Sequence, residues 1–466
     1  MPTSVATLLA VLTPYLSNYT IPPVNTKYSQ YNFSFFYTSS IIILYFEYFG
    51  GIYITNIDTK KTTKYGETNS SLLSNLNFIF LWIGNFVSNF GLQIYMITLP
   101  LLIYDLSHSA FSMSTMRAID ILPTIFIGIL AGVFVDRFSR KKIMSFSTIV
   151  QIISLSIIII LIIINSIQVW HLYLLGFVLS SAGNIFWICQ NSILPQIVNR
   201  DQLTNANAKI TFSNTLLNTI GPGIAGLIIG VYSYQVSFTV FLICLLFLFI
   251  LIQLQKIPNV LVQKSKRGSV WSEMKEGIIA LFNNKILLTP TLVILVKNIA
   301  NSLIIGVLVF YAIDDLKASK EEVGYIYSLG GLGGIVGSLL ILKFIKQFGR
   351  GKVFVYSILI DLIGMICLIF SDTWWLVGIS FFIRLFGGTM SNIVYITIRQ
   401  EFTPQHLLGR ISGTSSMMMK ITFPIGLFLS GLWVEFLSIK GLFIVSTFLL
   451  LILFILIRKH PFACVE

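Results

Sequence analysis

Residues 143–164 form a run of 22 positions without a single charge, and about 20 mostly apolar residues are what an α-helix needs to cross the hydrocarbon core of a bilayer. Runs of this kind recur along most of the chain. Composition closes the soluble alternative. Of 466 residues, 55% are hydrophobic and only 11% charged, whereas a soluble domain carries about a quarter charged residues. Disorder requires low hydrophobicity, and neither a collagen-like nor a disulfide-scaffold chain fits 33 Gly and 4 Cys. Cys189, Cys244 and Cys367 stand singly in apolar runs and Cys464 near the end, with no CxxC or Cys/His cluster. No metal site and no cofactor are expected.

The span length places six helices near 76–104, 111–135, 143–164, 170–193, 210–232 and 236–254, and six more near 287–313, 323–344, 353–370, 374–398, 413–434 and 437–457. The expected fold is an all-α polytopic membrane protein with twelve transmembrane helices in two six-helix pseudo-repeats. Its parts are an N-terminal half at 76–254, a linker at 255–286, a C-terminal half at 287–459 and a tail at 460–466. In the linker, Trp271, Met274, Ile278 and Leu281 recur at helical spacing, which suggests an amphipathic helix along the membrane surface. Residues 1–75 stand outside the pattern. An unstructured extension, one weak extra helix and translation upstream of the true start all stay open for them.

The net charge of +13 is read through topology, because Lys and Arg concentrate in cytoplasmic loops. One side collects Arg137, Arg140, Lys141, Lys142, Arg200, the linker's Lys and Arg residues, Lys343, Lys346, Arg350, Lys352, Arg399, Arg410, Arg458 and Lys459; the other offers Lys317, Lys320 and Lys440. Both ends of the twelve-helix unit are therefore expected in the cytoplasm, the chain in the plasma membrane, and nucleic acid is not needed as a partner. Membrane lipid and a small amphipathic substrate are the expected partners, and the chain is expected to act as a monomer.

The two sets of helices share landmarks. Basic clusters at 137–142 and 346–352 each follow the second helix of a set. The fifth and eleventh helices each carry a Lys (Lys209, Lys420) and a Pro-Gly break, Gly221-Pro222-Gly223 and Pro424-Ile425-Gly426. Parallel repeats joined by a long linker mark transporters whose halves rock about a midplane site.

The stretch from Gly128 through Gly132, Asp136, Arg137, Arg140, Lys141 and Lys142 resembles the loop between helices two and three of the major facilitator superfamily. The resemblance covers about 76–459, and the run from Leu81 to Asp105 further resembles the branch of macrolide, siderophore and peptide exporters, which are drug:proton antiporters. It implies a gate in which Asp136 faces the N-terminus of helix eleven, where dipole and free N–H groups favour an anion, and the basic residues pair with acids or phosphates. Gly128 and Gly132, one turn apart, leave a groove for another helix. The alternative is that these charges only hold topology. Ser139 replaces the family's usual Gly. The bend at Gly221, Pro222 and Gly226 resembles the Pro-Gly motif of helix five in exporters, against the alternative of a plain packing kink.

Asp120 lies in an otherwise apolar stretch of helix two. A lone carboxylate there is costly as an anion, so its protonation depends on which side is open, as proton antiport requires. A static pair with Arg117, three residues earlier, is the alternative. Asp361 is the next coupling candidate, expected near the cytoplasmic third and bonded locally. Arg384 and Lys297 are candidate counter-ions or substrate anchors that alternatively pair within the bundle. Relatives in the branch carry an acid in helix one where Leu92-Gln93 stands here, so proton coupling would rest more heavily on Asp120.

The reading is a secondary transporter exporting drug-like, macrolide-like or other amphipathic molecules by alternating access, driven by an ion gradient. Export of a siderophore, peptide antibiotic or lysolipid, and import, are the alternatives within transport. A membrane enzyme is disfavoured: no HExxH, GxSxG or GxxxxGK[ST] motif occurs, and His108, His171, His406 and His460 are scattered.

Overall fold

The computed structural model describes residues 72–135, 139–199, 202–256, 270–404, 407–460 and 462. All but the last four residues of the extension at 1–75 lie outside them. After a 3-10 turn at Leu72–Ser74, the helices are α1 (Leu76–Ser107), α2 (Ala110–Val135), α3 (Arg140–Ile163), α4 (Val169–Ile197), α5 (Leu203–Val231), α6 (Tyr234–Leu254), α7 (Val270–Asn283), α8 (Lys285–Phe310), α9 (Lys320–Phe348), α10 (Arg350–Ile369), α11 (Trp374–Phe402), α12 (Leu408–Phe436) and α13 (Ile439–Arg458). Eleven of them are long and apolar enough to cross a membrane. At 26 residues α2 has the length of a twelfth span, and α7, at 14, is too short.

Helix starts are set by side chains that accept the first free N–H groups. Asn75 Oδ1 takes Asn77 N at 3.1 Å and Phe78 N at 3.2 Å, Ser233 caps α6 and Ser438 caps α13. Ser319 and Glu322 form a reciprocal capping box at α9. Gly349, with φ 80°, is the one residue between α9 and α10, and a side chain there would be strained.

The packing is duplicated. In the first half α1 packs on α5 and α6, α2 on α4, and α3 on α4 and α6; in the second α8 packs on α12 and α13, α9 on α11, and α10 on α11 and α13. Adding seven to each label of the first set yields the second. The halves meet where α2 packs on α12 and α5 on α9, two contacts that exchange under the same shift. That is the arrangement of two parallel repeats about a pseudo-twofold axis.

Several helices outrun the apolar spans. The fifth begins at Leu203 rather than near 210, and the eleventh at Leu408 rather than near 413, because hydropathy marks the part that lies in lipid. The polar first turns, with Asn205, Asn207 and Lys209 in α5, are helical all the same. A π-helical turn at Tyr311–Asp315 continues α8, a feature that apolar periodicity does not signal.

Candidate functional site

A cavity of about 430 Å³ lies among α1, α2, α3, α4 and α6, and Lys420 of α12 reaches it from the other half. Asp120 and Arg117 both line it, as do Tyr95, Phe186 and Trp187. Asp120 accepts a hydrogen bond from Tyr95 Oη at 3.1 Å on Oδ1, while its Oδ2 is shielded from solvent and has no hydrogen-bond partner among the described residues. The alternative of a static pair with Arg117 is not what the geometry shows. Arg117 donates instead to the Met96 carbonyl at 2.6 Å and to Met96 Sδ at 2.8 Å, and no ion pair to Asp120 occurs among the described residues.

Beside this carboxyl, α1 and α5 carry a ladder of amides. Asn85 and Asn89 each donate to Asn214 Oδ1 at 2.8 Å, and Gln93 donates to Asn218 Oδ1 at 2.7 Å. Trp82 Nε1 donates to Ser213 Oγ at 2.9 Å at the ladder's end. Single-residue reading missed this ladder. Its signal was present: positions 85, 89 and 93 share one helix face, as do 214 and 218.

The charges of the second half are organised differently. Lys297 Nζ stands 3.1 Å from Asp361 Oδ2, and Arg384 Nε 3.6 Å from Asp361 Oδ1; the three residues are 3%, 1% and 3% exposed. Lys297 also donates to Ser391 Oγ at 2.8 Å and Arg384 to Asn301 Oδ1 at 2.5 Å. Asp361 is thus a mid-helix residue bridging α8, α10 and α11, not a locally bonded group near one end. None of the three lines the cavity.

The halves are sealed at one end. There Tyr104, in the last turn of α1, donates to Asp314 Oδ1 at 2.8 Å. Lys320, opening α9, contacts Asp105 Oδ2 at 3.1 Å, donates to Tyr234 Oη at 2.6 Å and lies 4.3 Å from that ring's centre. Phe111 of α2 meets Phe428 of α12 with ring centres 5.3 Å apart. At the same end α5 and α9 touch backbone to backbone: a Cβ on Gly226 would stand 3.0 Å from Gly324 Cα, and one on Gly324 2.5 Å from the Pro222 carbonyl. The expected bend at Gly221, Pro222 and Gly226 therefore sits in the seam between the halves, with Gly221 turned onto Gln93. At the opposite end polar contacts join helices within a half, as with Arg140 to the Ser192 carbonyl at 3.0 Å and the Arg350–Glu401 pair, and Arg410 ties α12 to the linker helix α7 through Glu276 at 2.5 Å.

Of the expected gate, Gly128 and Gly132 lie on α2, Arg140 and Lys141 open α3, and Asp136 and Arg137 lie outside the described residues. Lys141 Nζ donates to the carbonyls of Gln253 and Gln255, both at 2.7 Å, and so caps the end of α6.

Comparison with known proteins bears on this arrangement. The sequence profile of the Major Facilitator Superfamily matches residues 81–312 and 291–462. The chain is 23% identical over 386 residues to the macrolide efflux protein A of Streptococcus pyogenes, covering 80% of this chain and 92% of that protein. It is 23% identical over 352 residues to the multidrug efflux pump Tap of Mycolicibacterium fortuitum, covering 73% and 85%. The fold resembles that of a bacterial homologue of the iron transporter ferroportin in an inward-facing state, with a TM-score of 0.67 at 15% identity over 84% of this chain and 99% of that one.

Proposed function

The chain belongs to the major facilitator superfamily, a family of transporters rather than enzymes, and on that premise we propose that it exports amphipathic small molecules from the cell in exchange for protons. Asp120 carries the proton in this reading. The observation that supports it most is the state of that carboxyl: it lines the cavity beside the meeting of the halves, has one hydrogen bond, from Tyr95, and leaves Oδ2 unpartnered. A group held so loosely exchanges a proton at little cost in protein contacts, whereas Asp361, clasped between two cations, does not.

The sealed end is the extracellular one if the basic loops are cytoplasmic, which makes the arrangement inward-open, with the cavity in contact with substrate taken from the cytoplasm or the inner leaflet. Asn85 and Asn89 offer amide groups along one wall, and Phe186 and Trp187 an apolar one. The cations at Arg117 and Lys420 favour a substrate that is neutral or carries acceptor groups. Asp136 and Arg137 remain the proposed cytoplasmic gate, closing on α12 in the opposite state, and the names of the relatives favour export over import.

The test is transport into inverted vesicles across an imposed pH gradient, with an ethidium-like or macrolide probe. Wild type should accumulate the probe only while the gradient persists, and Asp120→Asn should lose that dependence. Accumulation by the wild type without a gradient would overturn the coupling while leaving the fold untouched.

A further inference from the structure

A second cavity, of about 710 Å³, opens at the basic end of the bundle between α3 and α6. Its lining shares no residue with that of the Asp120 cavity. Its lining carries Lys141, Lys142 and Lys256, with Ser139, Ser145, Gln253 and Gln255, and the apolar side chains Phe146, Ile149 and Phe249.

The groove is built rather than incidental. The Asn77 amide holds the Lys256 backbone at two points, accepting from its N–H at 2.9 Å and donating to its carbonyl at 3.1 Å. Gln253 donates to Ser145 Oγ at 2.9 Å, which ties α6 to α3. Lys141 is occupied in capping α6, but Lys142 and Lys256 are exposed and form no ion pair among the described residues. Gln255 is only 2% exposed and its Oε1 has no hydrogen-bond partner there; a half-turn of the amide presents its two N–H donors instead. The first N–H groups of α3 open beside the same space, and a helix N-terminus favours an anion.

Directly below the lysines the surface turns apolar. Phe146, Ile149 and Ile153 of α3 are 68%, 38% and 53% exposed, and Phe249 of α6 lines the same space. Phe146 and Ile149 line the groove, and Ile153, one turn beyond Ile149, continues the same face of α3 along the membrane-crossing part of the helix. Two free ammonium groups above an apolar furrow match a molecule with a phosphate at one end and acyl chains at the other.

We propose that the groove between α3 and α6 binds an anionic phospholipid, its phosphate held by Lys142, Lys256 and the Gln255 amide and its chains lying along Phe146, Ile149 and Ile153. The inference does not depend on what is transported. A lipid seated there would brace α6, and with it the start of the linker at Lys256, against α3.

Native mass spectrometry of the purified full chain in detergent, titrated with phosphatidylglycerol or phosphatidylcholine, tests this. Wild type should retain one phosphatidylglycerol in preference to phosphatidylcholine. Each lysine near an anionic lipid is worth about fivefold in binding, so K142Q/K256Q should weaken phosphatidylglycerol binding about 25-fold, K142R/K256R should keep it, and K352Q/K459Q, at the corresponding basic corner of the other half between α10 and α13, should leave it within about twofold. Equal losses in the two glutamine double variants would mean diffuse attraction and overturn the site. So would equal retention of phosphatidylcholine, or displacement by inorganic phosphate at the concentration of the lipid, which would point to a free-anion site.

Discussion

Asp120 and Asp361 both sit near the middle of membrane helices, yet their surroundings ask opposite things of them. Asp120 has one hydrogen bond and an unpartnered oxygen beside the cavity, so Asp120→Asn replaces a loosely held group by a neutral one of the same shape. The variant should lose about 1 kcal/mol or less of stability, keep its melting temperature in detergent, and lose pH-gradient-driven transport in vesicles. Asp361 is the only carboxylate paired with Lys297 and Arg384 among the described residues. Removing one partner of a buried pair leaves charge uncompensated and costs about 3–5 kcal/mol. Asp361→Asn should therefore melt well below wild type, and adding Lys297→Met should recover part of the loss. If the two aspartate variants were equally stable, the distinction between a free carboxyl and a structural one would be wrong.

At the scale of elements, the α5/α9 seam depends on having no side chain where the helices cross. A Cβ at Gly226 would meet Gly324 Cα at 3.0 Å and the Glu321 and Lys320 carbonyls at 3.1 Å each, all backbone atoms that cannot rotate away. Overpacking of this kind costs about 1–3 kcal/mol, and here the cost falls only on the state in which the seam is closed. Gly226→Leu should leave the protein folded, raise the reactivity of a cysteine placed at Ser328 toward a membrane-impermeant thiol reagent, and reduce transport. This seam shows how far the sequence could be read. Span length located the helices and the repeat, because lipid demands apolar runs and a duplicated chain repeats its landmarks. The break at Gly221, Pro222 and Gly226 of α5 stood out in the sequence, but which helix it meets depends on tertiary structure. Asp105 and Lys320 belong to the same class. They are 215 residues apart, and nothing local in either segment predicts that they meet. Asp120 was legible as an isolated acid, whereas the turning of Arg117 onto Met96 was not, since the i−3 spacing points to Asp120 alone and Met96 lies 21 residues away on α1.

For the whole molecule, the question is what holds one end shut against the rocking of two pseudo-symmetric halves. The contacts there are of unequal weight. The Lys320–Asp105 pair is 36% and 41% exposed, and exposed pairs contribute about 0.2–1 kcal/mol. The Lys320 ammonium over the Tyr234 ring adds about 0.5–1 kcal/mol at an exposed site, while the Tyr104 hydroxyl bonded to a carboxylate contributes about 1.5–3 kcal/mol. A latch of this size biases two states without locking one, which suits a transporter that must open at both ends. Lys320→Gln should therefore shift the balance toward the state open at this end by about tenfold, using 1.4 kcal/mol per decade, and Tyr104→Phe by at least as much. Pairs of spin labels on the first turns of α2 and α9 would report the shift as a growing population of longer distances. The two variants should differ in their response to salt: the Lys320 contribution comes from exposed charge and is screened as the Debye length falls to about 3 Å at 1 M. High salt should accordingly move wild type toward the Lys320→Gln distribution and leave the Tyr104→Phe increment in place. A distance distribution that ignores both substitutions would mean that the glycine seam and the Phe111–Phe428 contact hold this end closed by packing alone.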